Sequence, residues 1–171
     1  TRHYGTIMAT NGSNQIVDLL GGKIHHNKGS YGTAIVTYNN TKTHIGGDIE
    51  IYSNGPGTTS TTNCIWIGDN GILLIDGDAN IHDNTAGPTV LCDGQCVFAG
   101  NVKIENNKGT NSSAIHVRNG ELTIKDKVSV SNNVDVGALG AGIRVGGGKK
   151  LNLLGGYITN NKMYKTNNVY D

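Results

Sequence analysis

Aromatic and charged residues are scarce in this chain of 171 residues. Phe, Trp and Tyr make up 5% of it and the four charged types 16%, whereas charged residues usually form about a quarter of a soluble domain. The net charge is +1 and no basic or acidic block is present, so neither nucleic-acid binding nor a polybasic membrane surface is indicated. Pro occurs only twice and there is no Gly-X-Y period, which excludes collagen. No apolar run approaches the roughly 20 residues of a membrane helix.

Cysteine is also rare. Cys64, Cys92 and Cys96 are an odd number, so at least one thiol is unpaired or bonds another chain. Cys92 and Cys96 flank a short turn, and two interpretations stay open: a small disulfide loop, or two half-buried thiols. No signal peptide is present and the chain begins with Thr1, as expected of a mature secreted chain or an excised fragment.

What the chain does have is a repeat in which an apolar residue is followed three positions later by asparagine. The intervals between these asparagines are 27, 30, 23, 26 and 28 residues, and periods of this length predict a solenoid, an array or a propeller. The asparagines are Asn27, Asn54, Asn84, Asn107, Asn133 and Asn161. An asparagine side chain has two donors and an acceptor with two lone pairs, and it tolerates left-handed backbone angles. We therefore predict an internal asparagine ladder that satisfies backbone groups at a sharp bend.

Apolar residues alternate with period two before each asparagine, which predicts strands with one buried side. In one coil Ile45, Gly47, Ile49 and Ile51 share a face, and the glycine indicates a kink or a close backbone approach. A second sequence motif precedes a turn rich in Gly, Asn and Asp. It has the pattern small-apolar-variable-apolar, as in residues 114–117. Each coil is therefore predicted to contain three short strands and three bends, without helices.

The phrase Gly-Gly-x-Ile-x-x-Asn, at 21–27 and 155–161, combines with a small-Ile-x-Val strand and the ladder. This combination resembles the right-handed parallel β-helix of the pectin-lyase-like superfamily, and most of all the repetitive regions of bacterial surface proteins and autotransporter-type adhesins. The resemblance covers about residues 16–162. It implies an all-β solenoid of about six coils in a single domain, 1–171, with a partial first coil at 1–15 and a C-terminal tail at 163–171. It implies no particular activity, because the fold hosts lyases, hydrolases and non-catalytic adhesins alike.

Stacked coils place equivalent side chains about 4.8 Å apart in outward columns. One column consists of Val36, Trp66, Leu91, His116 and Arg144. Trp66 is the only tryptophan and is a candidate platform for stacking against a sugar; the alternative is that it packs beneath the loop 55–63. Trp66, His116 and Arg144 are therefore the candidate ligand-binding residues.

Two further columns carry charged side chains of both signs. They consist of Asp48, Asp78, Asn101 and Lys127, and of Glu50, Asn80, Lys103 and Ser129. With Asp76 added, the early coils carry an acidic patch, and the later coils carry a basic patch. The candidate metal ligands are Asp48, Glu50, Asp76 and Asp78, which would suit Ca²⁺. The alternative, which needs no ion, is a solvated strand face with weak ion pairs between coils. No other cofactor is predicted.

No recognisable catalytic motif of a lyase or polygalacturonase occurs, and the weak catalytic candidates are Asp69, Asp93 and Arg144. Inverting hydrolysis uses two carboxyl groups about 6.5–9.5 Å apart, and Asp69 and Asp93 are expected to end the same strand in successive coils. Both also stand in turns that favour aspartate for local reasons. The sites Asn11, Asn39 and Asn111 match the N-glycosylation acceptor pattern in predicted turns.

The sequence thus predicts a non-catalytic extracellular or cell-surface module, adhesive or structural, such as a stalk or a fibre building block. The alternative is a domain that binds or cleaves polysaccharides. Because a β-helix leaves unpaired backbone groups at its ends, we expect other copies or neighbouring domains to dock there, and glycans are the second expected class of partner. Val169 and Tyr170 are expected to lie on a further parallel strand of the solenoid. Nucleic acid and a membrane span are not expected.

Overall fold

The computed structural model describes residues 5–10, 14–56, 62–110, 112, 114–137, 139–165 and 168–170. In this part the chain is a parallel β-solenoid with three strands per coil, as predicted, and it has about five turns where about six coils were expected. The described residues form no helix, so none is long and apolar enough to cross a membrane.

Three parallel sheets of six strands each make up the walls. Sheet 1 contains Ile7–Ala9, Ile35–Thr37, Ile65–Ile67, Val90–Cys92, Ile115–Val117 and Ile143–Val145. Sheet 2 contains Ile16–Leu19, Lys42–Ile45, Ile72–Ile75, Gln95–Phe98, Glu121–Ile124 and Lys150–Leu153. Sheet 3 contains Lys23–His25, Glu50–Tyr52, Asn80–His82, Lys103–Glu105, Ser129–Ser131 and Tyr157–Thr159. Short additional strands follow the asparagine bends: Lys28–Gly29, Gly55–Pro56, Lys108–Gly109, Val134–Asp135, Lys162–Lys165 and Asn168–Tyr170.

The core consists of aliphatic columns that run along the solenoid axis. Ile51, Ile81, Ile104 and Val130 lie in register in successive coils, and all four are fully buried. A buried aliphatic side chain contributes roughly 1.5–3 kcal/mol relative to an exposed one. Each coil therefore draws its stability mainly from contact with its two neighbours.

The asparagine ladder is confirmed, and Asn84 illustrates its hydrogen bonds. Its backbone N–H and its Nδ2 both donate to Oδ1 of Asn107, at 3.0 Å each, and Nδ2 also donates to the Ile51 carbonyl at 2.9 Å. Its own Oδ1 accepts from the backbone N–H and the Nδ2 of Asn54, at 3.0 and 3.1 Å. Both donors and both lone pairs of the side chain are thus used. The amide-to-Oδ1 bonds repeat at each step from Asn27 to Asn161.

The residue with left-handed backbone angles at this bend is the one that precedes the ladder asparagine. The six residues concerned have φ between 51° and 56°; they are His26, Ser53, Asp83, Asn106, Asn132 and Asn160. The ladder residue is constrained by its hydrogen bonds, whereas its predecessor reverses the chain direction. This division of roles explains why only the ladder position is invariably asparagine along the chain.

The period-two pattern before each asparagine spans a bend and not one continuous strand. Ile45, Ile49 and Ile51 all point inward as predicted, but residues 46–49 separate a strand of sheet 2 from one of sheet 3. Gly47 has a φ of +65°, and a Cβ built on it would lie 2.0 Å from the carbonyl oxygen of Leu20. The predicted close backbone approach is therefore confirmed, and it lies at a corner of the coil.

Val169 and Tyr170 do not lie on a further parallel strand of the solenoid. The strand Asn168–Tyr170 runs antiparallel to Lys162–Lys165, at the edge of a four-stranded sheet. The expectation was wrong because the strand Asn168–Tyr170 pairs antiparallel with the strand before it and not parallel with the preceding coil. In the described coils nearest the two ends, several apolar side chains are exposed: Met8, Ile16, Leu20, Leu153, Leu154 and Tyr157.

Of the two interpretations of the cysteine pair, the disulfide loop is the one observed. Cys92 and Cys96 are bonded, and their Cα atoms are 6.5 Å apart across the turn between sheets 1 and 2. Cys64 is a free thiol inside the core, and burial raises its pKa to about 12. Cys64 is therefore a small core residue and not a nucleophile.

Candidate functional site

The outer face of sheet 1 carries the predicted column of side chains. Strand register places Trp66 beside Leu91, Leu91 beside His116, and His116 beside Arg144. Trp66, His116 and Arg144 are half-buried and line one cavity, as expected of a shared site. Val36 and Leu91 belong to the same column but are buried, so the expectation that the whole column is exposed was wrong.

Trp66 does not lie on an open, flat platform. The Tyr38 ring meets the indole edge-on with ring centroids 4.8 Å apart, and the Tyr31 ring lies tilted at 5.8 Å. Gly68 makes the first contact possible, because a Cβ there would lie 2.2 Å from the Tyr38 ring. Tyr31 and Trp66 both line the cavity, so an aromatic wall remains accessible there.

Asp93 accepts hydrogen bonds from both Trp66 and Arg118. The indole Nε1 donates to Asp93 Oδ2 at 2.9 Å, and Arg118 Nε donates to Asp93 Oδ1 at 2.8 Å, while the Arg118 terminal nitrogen contacts Oδ2. The Asp93 side chain is only 2% exposed, so both carboxylate oxygens have their partners within the protein. The bidentate pair between Arg118 and Asp93 belongs to the strong class of charge-assisted hydrogen bonds. The bond to Asp93 also raises the pKa of Arg118, whose guanidinium lies 5.7 Å from the Trp66 ring centroid.

The cavity has a volume of about 210 Å³, and two of its polar groups differ in charge. Burial, followed by the nearby Arg144 and Arg118, lowers the pKa of His116, so its imidazole is neutral near pH 7. Arg144 is half-buried and forms no ion pair within the described part of the chain. Thr62 and Asn63 complete the polar lining.

This arrangement suits recognition of a polar ligand with an apolar face. Two aromatic rings offer surfaces for stacking, a neutral imidazole can donate or accept one hydrogen bond, and Arg144 presents an unpaired guanidinium. A larger groove of about 600 Å³ runs along the stacked turns between sheets 1 and 2, but the described residues that line it include no aromatic side chain. The Trp66 cavity is therefore the candidate site.

The candidate catalytic pair does not form a matched pair of carboxylates. Because Ile67 pairs with Cys92, Asp93 is level with Gly68, and Asp69 is one position further along the turn. Asp69 is exposed, whereas Asp93 is buried and occupied by Arg118 and Trp66. The two residues therefore both follow the sheet 1 strand in successive coils, as expected, but they are offset by one residue.

The candidate metal ligands each have a different environment. Asp76 contacts His44 Nε2 at 2.8 Å, Glu50 contacts Lys23 Nζ at 3.1 Å, and Asp78 accepts from Asn101 Nδ2 at 2.9 Å. Asp48 is exposed. Within the described ranges, no group of three or more His, Cys, Asp or Glu side chains is placed to hold a metal ion.

The stacked coils bring His25, His26 and His82 together around Tyr52. Tyr52 stacks between His25 and His82, with ring centroids 4.9 and 5.1 Å apart and interplanar angles of 14° and 7°. His26 Nδ1 lies 2.7 Å from His25 Nδ1. The sequence contains a signal for this stack, because His25, Tyr52 and His82 each lie two residues before a ladder asparagine.

Arg118, Tyr31 and Tyr38 were missed as members of the site. Arg118 stands two positions after His116, so period-two alternation places it on the same outer face, next to the predicted column. Tyr38 follows Val36 by the same spacing. Tyr31 lies in a loop, and no periodicity predicts its contact with Trp66. Of the glycosylation candidates, Asn39 lies exposed in a turn as predicted, with a φ of 55°, whereas Asn11 and Asn111 fall outside the described residues.

Comparison with known proteins adds no relative. No protein-family model, no curated protein and no solved structure matches this chain.

Proposed function

We propose that this chain is a non-catalytic, adhesive β-solenoid module that binds carbohydrate in the Trp66 cavity. The observation that carries the proposal is the combination of an accessible aromatic wall, a neutral His116 and an unpaired Arg144 in one concave site. Sugars present apolar C–H faces and hydroxyl groups, which aromatic rings and polar side chains complement. The buried Asp93–Arg118 pair supports a binding role, since it orients the indole and keeps both carboxylate oxygens of Asp93 bonded within the protein.

An extracellular or cell-surface location is part of the proposal. The Cys92–Cys96 disulfide supports it, because disulfides persist mainly in oxidising compartments. The resemblance to the right-handed parallel β-helices of the pectin-lyase-like superfamily, and to the repetitive regions of bacterial adhesins, supports this location further. We also propose that neighbouring domains or other copies pack on the coil ends, where Ile16 and Leu154 are 68% and 72% exposed.

A glycan array with the purified chain tests the proposal, followed by titration of any glycan that binds. Arg144→Ala should weaken binding about tenfold to a hundredfold, because hydrogen bonds to a charged group are worth about 1.5–3 kcal/mol. Trp66→Phe, which retains an aromatic ring but loses the bond to Asp93, should weaken it less than Trp66→Ala. Two exposed residues outside the cavity provide matched controls, Lys149→Ala for the cation and Tyr157→Ala for the aromatic ring.

Two results would contradict the proposal. Binding that Arg144→Ala and Trp66→Ala leave unchanged would place the ligand elsewhere. Release of reducing ends or unsaturated products from a polysaccharide, lost on Arg144→Ala or Asp69→Asn, would establish the alternative of a cleaving enzyme.

A further inference from the structure

A second surface has a charge pattern that the carbohydrate proposal does not use. It comprises the two columns predicted from the sequence, at the corner between sheets 2 and 3, which together line one groove of about 560 Å³. We call it the split-charge face. Its residues are Asp48, Asp78, Asn101, Lys127, Glu50, Asn80, Lys103 and Ser129.

Charge is separated along the solenoid axis on this face. Asp48 and Asp78 stand in the two earlier coils, and Lys103 and Lys127 stand in the two later coils; all four are exposed. Asp48, Lys103 and Lys127 form no ion pair among the described residues, and Asp78 accepts only from Asn101 Nδ2. Glu50 is already paired with Lys23. The unpaired charge is thus two carboxylates at one end of the face and two ammonium groups at the other.

We propose that the split-charge face binds the same face of a second copy of this chain, with the two solenoid axes antiparallel. A two-fold axis in the plane of contact and perpendicular to the solenoid reverses each column onto itself. Asp48 then faces Lys127 of the second copy, and Asp78 faces Asn101. In the other column Asn80 faces Lys103, and Glu50 faces Ser129. Each pairing occurs twice, and no two like charges are opposed.

The parallel arrangement fails the same comparison. A two-fold axis along the solenoid would exchange the two columns, so that Asp48 would face Glu50 of the second copy. Like charges held opposite each other disfavour an interface, whereas complementary potentials select the partner and fix the register. Charge complementarity therefore favours the antiparallel dimer.

The size of the face limits its strength. Eight residues per copy are fewer than the roughly 20–30 of a standard interface, and exposed ion pairs contribute only about 0.2–1 kcal/mol each. The dimer is therefore weak and sensitive to salt. It is also closed, since a two-fold interface uses the same patch on both copies, whereas docking through the coil ends would give open chains.

Sedimentation velocity over a concentration series tests this proposal. We expect a monomer–dimer equilibrium at about 0.01 M salt, where the screening length is about 30 Å, and monomer at about 1 M, where it is about 3 Å. Changing Lys103→Glu with Lys127→Glu, or Asp48→Lys with Asp78→Lys, should raise the dimer Kd about tenfold or more. Mixing the two double variants in equal amounts should form a heterodimer, because one face is then acidic and the other basic.

The matched control is Lys42→Glu with Lys149→Glu, which changes the net charge by the same amount on other parts of the surface. It should leave the dimer Kd within about threefold of the original value, allowing for the smaller effect of net charge. Thermal melts establish that every variant is folded. Three results would overturn the proposal: monomer at every concentration in low salt, a dimer that the face variants do not weaken, or no heterodimer on mixing.

Discussion

At the residue scale, the ladder asparagines combine the roles of hydrogen-bond donor and acceptor in one buried column. Asn54, Asn84, Asn107 and Asn133 are fully buried, yet every polar atom of their side chains is bonded. Aspartate would lose the donors, and leucine would lose both donors and acceptor. Only the side-chain amide of asparagine reaches the next coil while also bonding the carbonyl of the preceding one. This explains why the repeat is recognisable from that residue.

Removing one internal ladder residue should therefore be costly. In Asn84→Ala the Asn54 backbone N–H and one N–H of the Asn54 side-chain amide lose their acceptor inside the core. Each buried group left unsatisfied costs about 1–3 kcal/mol, so we expect a loss of about 2 kcal/mol or more in the free energy of unfolding. Urea denaturation measures this difference.

Asn27→Ala provides the matched control at the first ladder position. Asn27 is half-buried, its backbone N–H would still donate to Asn54, and only the bond from its Nδ2 is lost. We expect a loss of about 1 kcal/mol, typical of one hydrogen bond. Equal losses in the two variants would show that the internal bonds of the ladder carry no additional stability.

At the element scale, the corner between sheets 2 and 3 depends on residues that allow a left-handed backbone. Gly47, Gly77 and Gly100 stack in this corner with φ of +65°, +68° and +74°. In the next coil Asp126 takes the same role with φ of 60°, and its Oδ2 accepts from the Gly100 N–H at 3.0 Å. Asp tolerates this conformation better than most residues, and its side chain also fixes the corner of the neighbouring coil.

Gly77→Ala should destabilise the solenoid through this corner. A non-glycine residue in a left-handed conformation costs about 1–3 kcal/mol, and the new Cβ would lie 2.8 Å from the Gly47 nitrogen. Gly147→Ala is the control, because a Cβ there meets nothing within 4 Å and no positive φ is required. Thermal unfolding should therefore show a lower Tm for Gly77→Ala only, and matching melts would contradict the prediction.

The sequence predicted which side chains point inward more reliably than where the strands bend. Ile45, Ile49 and Ile51 keep their inward direction through the corner, so alternation alone cannot separate one long strand from two short ones. Only some residues of the candidate site could be predicted, because alternation describes strands and not loops. Trp66, His116 and Arg144 follow from alternation and stacking, whereas the burial of Leu91 and the contact of Tyr31 depend on loops, which have no period.

At the scale of the whole molecule, the solenoid is a stack in which each coil contacts only its neighbours. Strand register is maintained in all three sheets even though the repeat varies from 23 to 30 residues, because the differences are absorbed in the turns. The described coils nearest the ends have one neighbour at most, and their apolar residues are correspondingly exposed. The stability of such an array is approximately a sum of coil and interface terms, so the same substitution should cost different amounts in different coils.

One column provides a direct measurement of this dependence. Ile81 and Ile158 occupy equivalent positions in sheet 3, but Ile81 is fully buried between Ile51 and Ile104, whereas Ile158 is 44% exposed. Ile81→Ala should lower the free energy of unfolding by about 2–5 kcal/mol, as truncations in a packed interior do. Ile158→Ala should lower it by about 1 kcal/mol or less, because it removes less buried surface and its surroundings can relax. Urea denaturation of both variants distinguishes this gradient from a uniform core, in which the two losses would be equal.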